Sequence, residues 1–498
     1  MAHTESCFLG VDLGASSGRV VAGLFDGQRL RLEDVARFEN GGVVAGDRMY
    51  WDLLRLWGDV VDGLRASATK YCGQVKSVGV DTWGVDFGFL GRNDELLGNP
   101  FHYRDSRKTG IQDKAFQIVS REEIFSHTGL QFMEFNSLFQ FLCMKLDNSP
   151  ILDVAESLLM IPDLFHWLLT GEKGNERTNA TTTQFYNPQT GQWATELLEK
   201  FDLPTQVLND LIEPGTAIGT LRTSVAESTG LNNVQVVLPG THDTASAVMS
   251  VPAASQPGTK PDWCYISSGT WSLMGVEVPD PVVTDKCREL NFTNEGGVGN
   301  TTRLLKNIAG LWVVQECRRI WRQSGKDMDW DELTNLAHGS DPLKSLIDPD
   351  HGDFVAPSDM PQAIRGFCNN TSQPVPETEG AVIRCALESL ALRYRLVLSW
   401  LEELIDGRID TIHIVGGGTQ NQLLCQMAAG ACNRRVVAGP IEATAIGNVM
   451  MQAVASGDVG SIAEARDVIR QSFYVQEYTP QKPDPWNEAF DRFRSLVK

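Results

Sequence analysis

One aspartate lies where a strand, a Pro-Gly break and a helix are predicted to meet, a position suited to acid–base chemistry. Residues 236–238 are apolar and largely β-branched, which predicts a strand, and residues 245–249, mostly small and apolar, predict the first turns of a helix. Asp243 lies between them, where the helix dipole favours the ionised carboxylate that can accept a proton. The alternative is structural, because Asp and Thr are also preferred N-cap residues.

A glycine- and serine-rich turn near the start of the chain predicts a phosphate contact. Residues 8–25 predict two strands joined by a tip of small residues, whose backbone N–H groups can approach a phosphate closely. Asp12, just before the tip, is placed to hold a hydrated Mg²⁺. The segment has neither the Gly-Lys-Ser/Thr of a Walker A loop nor the glycine-to-helix order of a dinucleotide fingerprint. An ordinary tight hairpin is the alternative interpretation.

Two further turns extend this pattern into the second half of the chain. Residues 263–277 repeat the order of strand, Ser-Ser-Gly-Thr tip and strand, which indicates a duplicated domain plan with two phosphate-facing turns. The strand predicted over residues 411–415 ends in Gly416, Gly417 and Gly418 and is followed by a helix predicted over residues 422–431. Strand, glycine turn and helix are typical of a nucleotide site.

These turns must be positioned by an alternating arrangement of strands and helices. Residues 75–80 and 435–438 predict short strands, and apolar residues recur at helical spacing over residues 382–405, which predicts a core helix. The fold class is therefore α/β. A chain of 498 residues is too long for one core, so we predict two domains, residues 1–245 and 246–498.

Composition excludes several classes of partner. The chain carries 43 Lys and Arg against 63 Asp and Glu, a net charge of −20 that repels nucleic acid and anionic lipid. The ten cysteines lack the spacing of a zinc site, so we expect buried thiols, with a Cys368–Cys385 bridge as the alternative. Residues 1–7 lack the pattern of a signal peptide, and no apolar run is long enough to span a membrane, which predicts a cytoplasmic protein.

A series of segments resembles the FGGY family of carbohydrate kinases and follows the family's order along the chain. They are residues 11–20, 81–87, 103–107, 179–184, 241–247, 267–275, 294–297, 305–308, 310–312 and 415–418. The resemblance implies duplicated actin-like, ribonuclease-H-like domains with a cleft between them. It also implies transfer of the γ-phosphoryl group of ATP, with Mg²⁺, to the 1-hydroxyl of L-rhamnulose in L-rhamnose catabolism.

The resemblance also assigns roles to individual residues. Asp243 becomes the base that accepts the hydroxyl proton. The residues implied in sugar binding are Trp83, Gly84, His242, Asp243, Thr244 and Asn307. The residues implied in ATP binding are Ala15, Ser16, Ser17, Gly18, Arg19, Thr270, Gln315 and Gly417. Trp83 also has a structural interpretation, since tryptophan is most often a core residue.

Three questions stay open at this point. The sugar is L-rhamnulose or another ketose such as L-fuculose or D-xylulose, because hydrogen-bond geometry decides between such sugars. A non-kinase actin-like nucleotide-binding protein is the alternative from a different functional class. The assembly is a monomer or a homodimer.

Overall fold

The computed structural model describes residues 5–71, 73–254 and 260–497. The strands are β1 (Ser6–Leu13), β2 (Ser17–Phe25), β3 (Leu30–Glu39), β4 (Gly42–Ala45), β5 (Arg48–Trp51), β6 (Val75–Thr82), β7 (Phe87–Leu90), β8 (Ser157–Met160), β9 (Asn175–Glu176), β10 (Tyr186–Asn187), β11 (Gln192–Trp193), β12 (Leu211–Ile212), β13 (Ala217–Thr220), β14 (Gln235–Val237), β15 (Trp263–Ser268), β16 (Trp271–Val278), β17 (Thr293–Gly296), β18 (Thr302–Ala309), β19 (Thr411–Val415), β20 (Arg435–Ala438) and β21 (Gln476–Tyr478).

The helices are α1 (Leu53–Lys70), α2 (Ile111–Ile118), α3 (Arg121–Thr128), α4 (Ser137–Leu146), α5 (Ile151–Val154), α6 (Ile161–Thr170), α7 (Arg177–Ala180), α8 (Thr195–Lys200), α9 (Thr223–Thr229), α10 (Asp243–Met249), α11 (Asp285–Glu289), α12 (Trp312–Gln323), α13 (Trp330–His338), α14 (Met360–Asn370), α15 (Glu379–Leu404), α16 (Gln422–Cys432), α17 (Ala443–Ala455), α18 (Ile462–Ser472) and α19 (Pro483–Leu496). Strands and helices therefore alternate, and the predicted α/β class is confirmed.

Two mixed sheets repeat one plan. Their strand orders are β13-β14-β6-β1-β2-β3 and β17-β18-β16-β15-β19-β20-β21. In each sheet an antiparallel hairpin, β1–β2 or β15–β16, is followed by two parallel strands, β6 and β14 or β19 and β20. The predicted duplication is confirmed by this repeated arrangement.

The two faces of strand β1 contact different parts of the first unit. Its odd-numbered residues, such as Leu9 and Val11, join a core with α1 and α6, because successive side chains of a strand point to opposite faces. Phe8 lies on the other face and packs against α17, and Gly10 would meet Val449 of α17 if it carried a Cβ. Asp12 continues this second face and reaches the carboxyl end of the strand.

The described residues form two compact units. The first comprises Met1–Thr259, Glu277–Leu304 and Ala443–Phe473, and the second comprises Lys260–Val276, Leu305–Glu442 and Tyr474–Lys498. Each unit is therefore built from separate stretches of chain. The division at residue 245 stays a prediction.

Nine of the cysteines are buried free thiols, Cys368 and Cys385 among them, and Cys72 lies outside the described residues. In residues 5–71, 73–254 and 260–497 no helix is both long and apolar enough to cross a bilayer.

Candidate active site

The carboxyl ends of neighbouring strands in the first unit bring three aspartates together. β1 and β6 are parallel, with Asp12 directly beside Asp81, and the Thr82 N–H donates to the Thr241 carbonyl at 2.9 Å. Ligands of open α/β sheets bind at this edge. Burial, reinforced by the charge of Asp12 and to a smaller extent by that of Asp243, raises the pKa of Asp81 well above its usual value. The three carboxyl groups therefore oppose one another's ionisation.

Asp243 is the first residue of α10. His242 occupies the N-cap position, and its side chain makes no capping hydrogen bond. The alternative in which Asp243 is the N-cap is therefore wrong. The Asp243 side chain is 33% exposed, and its Oδ1 accepts a hydrogen bond from Thr244 Oγ1 at 3.1 Å. Its carboxylate lies in the first turn, where the helix dipole stabilises a negative charge.

A buried carboxylate anchors the turn that precedes Asp243. Glu176 Oε2 accepts hydrogen bonds from the Thr241 hydroxyl at 2.6 Å and from the Thr241 N–H at 3.1 Å. The Thr178 hydroxyl donates to the same oxygen at 2.5 Å and receives a bond from the His242 N–H at 3.2 Å. Burial raises the pKa of Glu176, and these hydrogen bonds oppose that rise. The turn is thus fixed by donors and acceptors inside the first unit.

His242 contacts a buried charge pair. Its Nδ1 lies 3.3 Å from Glu295 Oε2 and 3.1 Å from Arg303 Nη2, and its Nε2 lies 3.4 Å from Asp243 Oδ1. Burial acts to raise the pKa of Glu295, but the contact with His242 and the charge of Arg303 outweigh burial and lower that pKa. Asp243 therefore contacts a polar network of His242, Glu295 and Arg303, which the sequence did not reveal.

The first hairpin has its predicted form. Gly14 N–H donates to the Ser17 carbonyl at 2.9 Å, and Ser16 and Ser17 are exposed at the tip, with Ala15 half-buried beside them and Gly18 buried. Arg19 follows on β2 and donates from Nε and Nη2 to Asp12 Oδ2 at 2.9 and 2.8 Å. A residue predicted to contact ATP and the one predicted to hold Mg²⁺ are therefore an ion pair.

Trp83 and Gly84 lie beside a buried aromatic stack. The rings of Trp83 and Trp51 are 3.9 Å apart between centroids, and both indole N–H groups donate to Asp86 Oδ2, at 3.0 and 2.6 Å. Trp83 is only 6% exposed, so it is a core residue of this unit. A Cβ on Gly84 would lie 2.9 Å from Thr182 Cγ2, which requires glycine at this contact.

The second unit brings other predicted residues together. Thr270, at the tip of the β15–β16 hairpin, donates to Gln315 Oε1 at 3.1 Å, and the N–H of Trp312 on the same helix donates to the Thr270 carbonyl. Gly418 packs directly on Ser268, whereas a Cβ on Gly417 would meet nothing within 4 Å. The space at Gly417 suits a flat ring lying against backbone. Asn307 belongs to the same unit, half-buried on β18.

Several polar residues of the site were not assigned roles from the sequence. Asp81, Asp86 and Glu295 fall within segments that resemble the family, but only the folded chain shows what they contact. Arg303 is fully buried and precedes two leucines in β18. An arginine directly before two leucines was the available signal, because a charge buried among apolar residues requires a partner.

Two family models match the chain. Residues 7–250 match the N-terminal domain of the FGGY family of carbohydrate kinases, and residues 264–456 match its C-terminal domain. Together they cover well over half of the sequence.

Curated relatives are similar over nearly the whole chain. A rhamnulokinase of Bacteroides thetaiotaomicron is 44% identical over 99% of this chain and 99% of its own length. Rhamnulokinases of Oceanobacillus iheyensis and Bacillus subtilis are 39% and 37% identical, over 95% and 96% of this chain and 98% and 96% of their own lengths.

Solved structures share the fold. A ligand-bound xylulose kinase from Lactobacillus acidophilus superposes with a TM-score of 0.82 at 17% identity, over 99% of this chain and 97% of that chain. Plasmodium falciparum glycerol kinase with ADP gives a TM-score of 0.77 at 14% identity, over 99% of both chains. The family models, the relatives and the repeated sheet plan agree, and the chain belongs to the FGGY family of carbohydrate kinases.

Proposed function

We propose that this carbohydrate kinase transfers the γ-phosphoryl group of ATP to the 1-hydroxyl of L-rhamnulose, giving L-rhamnulose 1-phosphate and ADP in L-rhamnose catabolism. The observation that carries the sugar assignment is the 44% identity to a rhamnulokinase over 99% of both chains. A non-kinase protein of the same fold is disfavoured, because both matching models are those of carbohydrate kinases. Because ATP is the donor, we also propose a cytoplasmic location.

Asp243 is the proposed base. Its carboxylate is partly exposed, lies at the amino end of α10 and is held on Oδ1 by Thr244. Phosphoryl transfer depends on alignment and charge neutralisation more than on covalent help from the protein, so one oriented carboxylate is sufficient to remove the hydroxyl proton. His242, Thr244, Trp83, Gly84 and Asn307 are the proposed sugar contacts.

The proposed ATP contacts come from the two hairpins, from helix α12 and from the glycine turn after β19. They are Ala15, Ser16, Ser17, Gly18 and Arg19 in the first unit and Thr270, Gln315 and Gly417 in the second. The exposed tip of the first hairpin and the open space at Gly417 support these assignments.

Asp12 and Asp81 are the proposed residues for Mg²⁺. Asp81 Oδ2 accepts a 2.6 Å bond from Asn448, while its Oδ1 is buried and has no hydrogen-bond partner. Within the described residues, no group of three or more His, Cys, Asp or Glu side chains is arranged to hold a metal by itself. One or two carboxylates together with phosphates and waters are the usual Mg²⁺ ligands, so this pair fits. The ion supplies neutralisation of phosphate charge.

A coupled assay across ketoses tests the sugar assignment. With ATP and Mg²⁺, we expect the highest kcat/KM on L-rhamnulose among L-rhamnulose, L-fuculose, D-xylulose, L-ribulose and glycerol, because hydroxyl recognition rejects a wrong sugar strongly. The phosphorylated position is read by NMR of the product. A higher kcat/KM on any other sugar of the panel refutes the assignment and leaves the family unchanged.

Asp243→Asn tests the base in the same assay. The substitution keeps the shape and removes the proton acceptor, so kcat falls by a factor of about 10²–10⁴ while ATP binding stays unchanged. Asp153→Asn is the matched control, because Asp153 is exposed on α5 of the same unit, and its kcat stays at the wild-type value. Near-normal turnover of the Asp243 variant removes this residue from the proposed role.

A further inference from the structure

A buried ion pair beside His242 takes no part in the proposed proton transfer to Asp243. Arg303 is fully buried on β18, where its Nε donates to the Gly296 carbonyl at 2.8 Å. Its Nη2 lies 3.1 Å from Oε2 of Glu295, whose side chain is 8% exposed. Removing two charges from water is unfavourable unless each is well paired, so Arg303 and Glu295 depend on each other.

Arg303 constrains the protonation of the His242 ring. Its Nη2 lies 3.1 Å from His242 Nδ1 with hydrogen-bond geometry. A guanidinium stays protonated and can only donate, so Nδ1 must accept. A neutral imidazole carries one proton, which then resides on Nε2. Glu295 Oε2, 3.3 Å from the same Nδ1, favours the opposite tautomer, but this contact is longer than the 3.1 Å hydrogen bond with Arg303.

The proton on Nε2 points to the proposed base. His242 Nε2 lies 3.4 Å from Asp243 Oδ1, the oxygen that also accepts from the Thr244 hydroxyl at 3.1 Å. His242 and Thr244 therefore both contact Oδ1 of Asp243. The second oxygen, Oδ2, is left to receive a proton from the sugar.

We infer that Arg303, held by Glu295, is a positioning residue that fixes His242 as the Nε2–H tautomer and so orients Asp243 with Oδ2 toward the sugar hydroxyl. This inference rests on the proposed role of Asp243 as base. The proton passes from the sugar hydroxyl to Asp243 Oδ2 as the hydroxyl oxygen bonds to the γ-phosphorus and ADP leaves. His242 keeps its proton throughout.

The tautomer can be measured without any turnover. The protein labelled with ¹⁵N at its histidines gives signals from eight imidazole rings. The signals that disappear in the His242→Ala variant are those of His242. Long-range ¹H–¹⁵N spectra above neutral pH are expected to show an unprotonated Nδ1 and a protonated Nε2. A proton on Nδ1 overturns the inference whichever sugar the enzyme prefers, so this result is distinct from a failure of the ketose assay.

Kinetics then test the link from Arg303 to Asp243. The double variant Glu295→Gln/Arg303→Met removes both charges together, so that neither is left buried alone. In the wild-type background we expect kcat to fall about tenfold or more with an unchanged KM for ATP, the size of an interaction between contacting residues. In the His242→Ala background the same pair is expected to cost less than about threefold. Equal losses in the two backgrounds overturn the inference.

A second buried pair provides the matched control. Arg466 is 1% exposed in its side chain, lies 2.6 Å from Glu277 and donates to the Val248 and Met249 carbonyls at the other end of α10. Glu277→Gln/Arg466→Met is expected to lower the melting temperature while leaving the His242 tautomer and kcat unchanged. If this control alters the tautomer as the Arg303 pair does, disturbance of α10 explains both results and the inference fails.

Discussion

At the scale of single residues, Asp86 is a buried carboxyl group that is hydrogen-bonded to aromatic side chains. It is fully buried and accepts hydrogen bonds from the indoles of Trp51 and Trp83, from the Tyr103 N–H and from Gln140. Burial raises the pKa of Asp86 to about 6, although these four donors oppose the rise. The folded protein therefore holds the Asp86 proton more tightly than the unfolded chain does.

Asp86→Asn is expected to change how stability depends on pH. The folded pKa of about 6 exceeds the unfolded value of about 3.9, so ionisation disfavours folding as the pH rises through this window. Relative to the variant, the wild type loses about 2 kcal/mol of unfolding free energy between pH 4 and pH 7. Thermal unfolding measured across this range checks the shift. Asp153→Asn serves as control, and parallel curves for wild type and Asp86→Asn contradict the prediction.

At the scale of elements, the helix that carries Asp243 depends on a close helix–helix contact. α10 and α17 both belong to the first unit. A Cβ on Gly447 of α17 would lie 1.8 Å from the Ser246 carbonyl oxygen of α10, which is backbone and cannot rotate away. Glycine at this position therefore sets the distance between the two helices.

Gly447→Ala is expected to destabilise the protein and reduce kcat. Forcing a methyl group into such a contact costs about 1–3 kcal/mol or more, which exceeds the gain of about 1 kcal/mol from replacing glycine in a helix. The shift of α10 also displaces Asp243. Gly58→Ala in α1 is the matched control, since its Cβ meets nothing within 4 Å and the melting temperature should rise or stay level. A Gly447 variant as stable as wild type would show that α17 moves without cost.

At the scale of the whole molecule, the chain carries a net charge of −20. Like charges repel across the folded surface, and salt screens this repulsion because the Debye length falls from about 30 Å at 0.01 M to about 8 Å at 0.15 M. We expect the melting temperature to rise between these NaCl concentrations. Choline chloride should give the same rise if screening is the cause, and a fall in melting temperature with either salt would contradict the prediction.

The sequence by itself determined the α/β class, the duplicated hairpins and the family. It also placed strands close to their observed bounds, as with residues 435–438, which are β20 in the structure. These features depend on local propensity and on turn residues, which a linear pattern contains. Asp243 could be singled out for the same reason, since it follows a strand and begins a helix.

Only the tertiary structure decided which side chains surround that aspartate. Arg303 lies 61 positions after His242 in the chain and yet contacts its ring, and Asn448 contacts Asp81 from 367 positions away. The first unit is itself assembled from three separate stretches of chain. Contacts of this kind form when distant strands and helices pack, so burial and hydrogen bonding, and not spacing along the chain, determine them.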